Sequence, residues 1–165
     1  MKAIEVFKQN DGAVTKAYYA ELDAKGPAGQ VATALFRAQK RSTAAKKYRG
    51  RRFRTAAYEV KSWSMSELCR LLTTHGEALG IRFGWKLDER ESYASWVLYV
   101  DLPNCGQASF HSPQRLAGPD YTGEWSGKHD SAEVIIQFCD SLSIENQQAP
   151  ATQPEIPLTS QRLLF

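Results

Sequence analysis

Between Phe36 and Lys61 the sequence packs ten cations, Arg37, Lys40, Arg41, Lys46, Lys47, Arg49, Arg51, Arg52, Arg54 and Lys61, against a single acid, Glu59. That window carries +9 and the rest of the chain −6, a separation that the net charge of +3 conceals. Guanidinium and ammonium groups neutralise phosphates and release the counterions condensed on them. Tyr48, Phe53, Tyr58 and Trp63 accompany these cations, and aromatic faces offer stacking surfaces to unpaired bases. Together they point to contact with nucleic acid, DNA first, through Arg37, Lys40, Arg41, Lys46, Lys47, Tyr48, Arg49, Arg51, Arg52 and Arg54. The competing expectation is a solvated helix face with Tyr58 and Trp63 in the core. No zinc-finger pattern and no aromatic RNA-recognition strand is present, so sequence preference is not encoded in a known motif.

A second set of chemistry-bearing residues clusters further along: Asp101, His111, Asp120, Glu124 and His129. Carboxylates with imidazole can hold a divalent ion that activates water for phosphodiester cleavage. On that reading Asp101 and His111 are the catalytic candidates, and Asp101, His111 and His129 the metal candidates, of a metal-dependent nuclease. The bland alternative has His111 finishing a strand, Asp101 at its edge and His129 with Asp130 at a helix start. No Walker loop, dinucleotide fingerprint, HExxH or nucleophile elbow occurs. The leading expectation is a non-enzymatic protein without a cofactor.

The last five residues are Gln161, Arg162, Leu163, Leu164 and Phe165. This terminus resembles the pentapeptide with which bacterial polymerases, mismatch-repair and translesion proteins dock on the replicative sliding clamp, commonly Gln-Leu-Ser/Asp-Leu-Phe. Gln161, Leu164 and Phe165 agree with its first, fourth and fifth positions. Arg162 stands where Leu is usual and Leu163 where a small or acidic residue is usual. The resemblance implies that Gln161, Leu163, Leu164 and Phe165 bind a sliding clamp. An apolar pair would fill a pocket while the glutamine hydrogen-bonds at its rim. The alternative is that Leu163 to Phe165 fold back onto the core. The body of the chain is similar in kind to small accessory proteins of phages and mobile elements, some of which act as inhibitors by protein–protein binding, but it carries no family motif.

The elements that must position these residues follow from periodicity. Asn10 or Asp11 caps a helix carrying Val14, Ala17, Tyr18 and Leu22, stopped by Gly26 and Pro27. A second helix is predicted from Ala28 to Tyr48, with Val31, Leu35, Ala38 and Ala45 inward and Arg37, Lys40, Arg41 and Lys47 on an outer stripe. Ser64 and Glu67 have capping-box spacing before a helix from Met65 to His75 with Leu68, Leu71 and Leu72 inward. Alternation of Ile81, Phe83, Trp85 and Leu87 with Arg82, Gly84 and Lys86 predicts a half-buried strand. Trp96 to Leu102 predicts a central strand, and Pro103 to Gly106 turn it into a hairpin with Gln107 to His111. An ordered loop is expected over Ser112 to Lys128. A last helix, capped by Asp130 or Ser131, places Val134, Ile135, Phe138 and Leu142 inward.

The fold class is therefore α+β, with several helices flanking a small antiparallel sheet of at least three strands. A single domain is expected over 1–142, a flexible linker over 143–160 and a docking peptide over 161–165. With 42% hydrophobic and 24% charged residues the makeup is that of an ordinary soluble domain. The longest apolar run, Trp96 to Val100, is far short of the roughly 18 residues of a membrane helix. Glu5, Lys8 and Asp11 break any greasy N-terminal stretch, so a cytoplasmic location is the default. Cys69, Cys105 and Cys139 are odd in number and scattered, which suits reduced thiols rather than disulfides or a zinc site.

Overall fold

The computed structural model describes residues 1–42, 62–88, 95–111, 126–127 and 129–152. Helices α1 (Ala3–Lys8), α2 (Gly12–Asp23), α3 (Pro27–Lys40) and α4 (Ser62–Leu79) precede strands β1 (Arg82–Asp88), β2 (Ser95–Leu102), β3 (Gly106–His111) and β4 (Ser126–Gly127). Helix α5 (His129–Thr152) follows. The four strands form one antiparallel meander in the order β1-β2-β3-β4. The class is α+β, and among the described residues α3, α4 and α5 pack against the sheet. None of the described helices is long and apolar enough to cross a membrane.

Local chemistry sets the helix starts. The Asp11 carboxylate accepts from the amides of Ala13 and Val14 at 3.0 and 3.3 Å, so α2 begins where its cap predicts. Pro27 opens α3, where its missing N–H costs nothing. The two helices meet closely at Gly29, whose absent side chain leaves room for the Leu22 carbonyl.

Helix α3 departs from expectation in length and environment. It stops at Lys40 rather than Tyr48, and the Ser42 amide and hydroxyl both turn back to the Gln39 carbonyl at 3.1 and 2.9 Å. It is also buried nearly all round, with Val31, Ala32, Thr33, Ala34, Leu35, Phe36, Ala38 and Gln39 all inside. The reason is its central position: α2, α4, α5 and β4 all pack on it. The predicted outer cation stripe therefore reduces, on the helix itself, to its last turn.

Phe36 anchors this layer. Its ring centroid lies 5.6 Å from Phe7, 5.3 Å from Tyr18 and 6.0 Å from Tyr19, with Phe7 and Tyr19 edge-on. Such arrangements set the negative ring face of one aromatic against the positive edge of the next. Helix α1 carries the apolar positions Ala3, Val6 and Phe7 that join it to the core.

In the sheet, Phe83, Trp85, Leu98, Val100, Ala108 and Phe110 share the inner face. Arg82, Gly84, Lys86, Tyr99, Asp101, Gln107 and His111 share the outer one. The alternation predicted for β1 holds, but Leu87 remains 37% exposed because β1 lies at the sheet edge. Two boundaries shift further. The loop expected over Ser112 to Lys128 contains the short strand β4, and the helix expected to end at Leu142 continues to Thr152.

The start of α5 also differs. Ser131 is buried, and its hydroxyl accepts from the Ser109 amide at 2.9 Å beyond the reach of β4, so it closes the β3 edge. Helix α4 begins at Ser62, which places Glu67 one turn inside rather than at the start. Its carboxylate meets Arg70 in a two-pronged pair at 3.0 and 2.8 Å instead of reaching back to cap.

Candidate nucleic-acid interface

Of the cations singled out by charge, the described residues include Arg37, Lys40 and Arg41. Lys46, Lys47, Tyr48, Arg49, Arg51, Arg52 and Arg54 lie outside them, as do Gln161, Leu163, Leu164 and Phe165.

The three described cations do different work. Lys40 is part-buried, and its ammonium donates to the carbonyls of Val6, Phe7 and Gln9 at 2.8, 2.8 and 2.7 Å. Those are carbonyls at the end of α1, which a helix terminus leaves without partners and which carry the negative end of its dipole. The other end of α1 is served from α5, where the Asp140 carboxylate accepts from the Ala3 amide at 3.0 Å. A helix of six residues is thus held at each end by a charge of the stabilising sign. Three donated bonds use the full donor capacity of an ammonium group. In this structure the Lys40 ammonium is engaged with the scaffold.

Arg37, one turn earlier, lies with its guanidinium carbon 4.9 Å from the centroid of the Tyr19 ring. Burial pushes the Tyr19 phenol up to about 12, against the pull of Arg37 and Arg41, so the hydroxyl stays protonated at neutral pH. Arg41 is exposed and closes α3 as its C-cap, beside which the rest of the basic segment begins. At this end of the helix the Arg37 guanidinium lies over the Tyr19 ring and Arg41 is at the surface. Sequence reasoning gave no role to Tyr19; its position one residue after Tyr18 on a helix was the only available signal.

Within the second cluster, the two described members Asp101 and His111 stand apart. Asp101 stands opposite Gln107 and His111 opposite Val97, so the two lie four positions apart on the same sheet face. At about 3.3 Å per residue that is about 13 Å along the strands, too far to share an ion. Asp101 instead accepts from Gln107 Nε2 at 2.8 Å and from Arg82 at 3.4 Å, which ties together the end of three strands. Among the described residues no group of His, Cys, Asp or Glu is placed to hold a metal ion. Asp120 and Glu124 lie outside the described residues, and His129 opens α5.

The thiols are not activated. Burial pushes Cys69 up to about 11, and it pushes Cys139, which sits beside the Ala32 carbonyl, higher still. A thiol protonated at neutral pH is a poor nucleophile and metal ligand.

One feature of the surface was invisible to periodicity. A groove of about 580 Å³ runs between α4 and the β1 edge, walled by Leu72, Ile81 and Phe83 and rimmed by Glu77, Arg82 and Asp101. On the outer face nearby, Gly84 leaves room for the Tyr99 ring: a Cβ at position 84 would stand 2.6 Å from Tyr99 Oη.

Compared with known proteins, the chain matches no family model, no curated protein and no solved structure.

Proposed function

We propose that the chain is a non-enzymatic nucleic-acid-binding accessory protein of DNA replication, repair or recombination, held at the bacterial sliding clamp by its C-terminal peptide. The observation that carries this reading is the +9 window between Phe36 and Lys61, in which Tyr48, Phe53 and Tyr58 are interspersed among ten cations. Density of that kind binds phosphates through counterion release, and interleaved rings add stacking that tolerates any base. The position of Arg41 supports it: the residue is exposed at the point where α3 ends and the segment begins. Lys40 drops out of the contact set because its ammonium serves α1. The set is then Arg37, Arg41, Lys46, Lys47, Tyr48, Arg49, Arg51, Arg52 and Arg54.

The tail supplies the second contact. Gln161, Leu164 and Phe165 stand at the positions of the clamp-binding pentapeptide that take a polar rim contact and a buried apolar pair. Two modest contacts on one chain act as a stronger one when both can be made at once. The reading is tested with purified sliding clamp and a fluorescent oligonucleotide, using the full-length chain and a chain ending at Ser160. The full-length protein binds both; the shortened one keeps the oligonucleotide and loses the clamp. Equal clamp affinity for the two forms would remove the tail from the proposal, and absence of oligonucleotide binding would remove the basic segment.

A further inference from the structure

Among the described residues, β1 is paired on one side only, by β2. An open edge strand invites another strand unless proline, a bulge, a short length, charges that repel the newcomer or a covering segment blocks it. β1 has no proline and no bulge, and its charges, Arg82, Lys86 and Asp88, are of both signs, so they select a partner rather than exclude every one. Its seven residues pair with β2 at seven consecutive positions, and its inner face carries Phe83, Trp85 and Leu87. Leu87, at 37% exposed, is one of two large hydrophobic residues at the described surface, the other being Met1. The groove walled by Leu72, Ile81 and Phe83 flanks the opposite end of the same strand.

We propose that β1 is the seam of a homodimer, two copies pairing antiparallel about a twofold axis at Trp85 to join their sheets. The sequence Arg82-Phe83-Gly84-Trp85-Lys86-Leu87-Asp88 is complementary to itself in this register. Arg82 stands opposite Asp88 of the second copy, Phe83 opposite Leu87, Gly84 opposite Lys86, and Trp85 opposite its own counterpart. A twofold axis normal to the sheet keeps inner residues against inner residues only if it passes through a residue position, because successive side chains alternate faces. Moving it to Gly84 sets Arg82 against Lys86, and moving it to Lys86 sets two lysines against each other. Like charges directly opposite are destabilising, so the neighbouring registers are disfavoured and the one centred on Trp85 is selected.

The same register matches shape. Because Phe83 opposes Leu87, the exposed leucine of each copy falls beside the groove of the other, and the contact is made twice by the same patch. That is the property an isologous interface requires.

The test is sedimentation equilibrium of the full-length chain over a range of concentrations, with circular dichroism confirming that each variant is folded. Wild type is expected to be a reversible dimer. Arg82→Asp sets two acids opposite each other and Asp88→Arg two cations, and each should weaken the dimer about tenfold or more. The double exchange R82D/D88R restores the pairing and should recover affinity to within a few-fold of wild type. Leu87→Lys, which leaves the charge pair intact, should weaken the dimer by a similar factor. A chain that stays monomeric at its highest soluble concentration overturns the proposal. So does a dimer indifferent to Leu87→Lys, or a double exchange as weak as its single variants.

Discussion

Helix α3 and strand β1 carry cations at spacings that look alike in the sequence, and the fold treats them in opposite ways. On α3, Lys40 turns into the protein and donates three hydrogen bonds to main-chain carbonyls. On β1, Arg82 and Lys86 stay at the surface, Arg82 making one long contact to Asp101 at 3.4 Å with its side chain 87% exposed. The difference lies in what the neighbouring backbone leaves unsatisfied. Helix α1, of six residues, ends in carbonyls that lie within reach of Lys40, whereas the backbone groups that β1 leaves unpaired along its edge lie in the plane of the sheet, away from the outer-face side chains of Arg82 and Lys86, which stand roughly perpendicular to it. A cation's role is therefore set by the nearest orphaned backbone group as much as by the charge around it.

That contrast can be broken at several places. The largest effect is expected from Phe36→Ala, which removes the ring shared by α1, α2 and α3. It should cost about 4 kcal/mol in urea denaturation, and a cost within the surface range would contradict the packing described. Next comes Lys40→Met, which keeps the apolar stem and removes the ammonium. About 2 to 3 kcal/mol should be lost, with the salt dependence of oligonucleotide binding unchanged. If Lys40→Met is instead neutral for stability and weakens binding, Lys40 belongs to the interface after all.

A smaller effect is expected from alkali. Burial raises the Cys69 thiol from 9.0 to about 11 and the Tyr19 phenol from 10.0 to about 12, and it raises Cys139 and Tyr18 as well. In each case the folded state holds the proton more tightly than the unfolded one. Stability is therefore fully present below pH 9 and falls as pH rises from 9 to about 12, Cys69 acting over 9 to 11 and Tyr19 over 10 to 12. A urea midpoint that does not move over that range would contradict the burial of these groups. The smallest effect belongs to Arg82→Ala and Lys86→Ala, which should change the stability of the monomer by no more than about 0.5 kcal/mol, measured at low protein concentration.

Much of the fold could be read from residue spacing. The cap at Asp11, the alternation in β1, the central position of β2 and the inward face of α5 follow from local periodicity, which the tertiary packing left in place. The misses have a common cause. Helix α1 went unseen because Ala3, Val6 and Phe7 span barely two turns, too short a window for a periodic signal. The end of α3 was misplaced because alanine and lysine favour helix beyond Lys40, while Ser42 bonds back to Gln39. Lys40 was assigned to an outer stripe because a helical wheel shows only the angle around the axis. It cannot show that another helix ends beside that angle. The pairing of Asp101 with Gln107, and its separation from His111, depend on strand register, which proximity in sequence does not report.

The central claim is that the basic segment binds nucleic acid while Lys40 does not take part. The most direct measurement is the affinity of the full-length chain for a fluorescent oligonucleotide across a salt series, compared with a variant in which Arg41, Lys46, Lys47 and Arg49 are alanine. Wild type should lose affinity steeply as salt rises, and the variant's logarithmic slope should be shallower by about 3 units, for the phosphates no longer neutralised. Identical slopes and affinities for the two proteins would contradict the account.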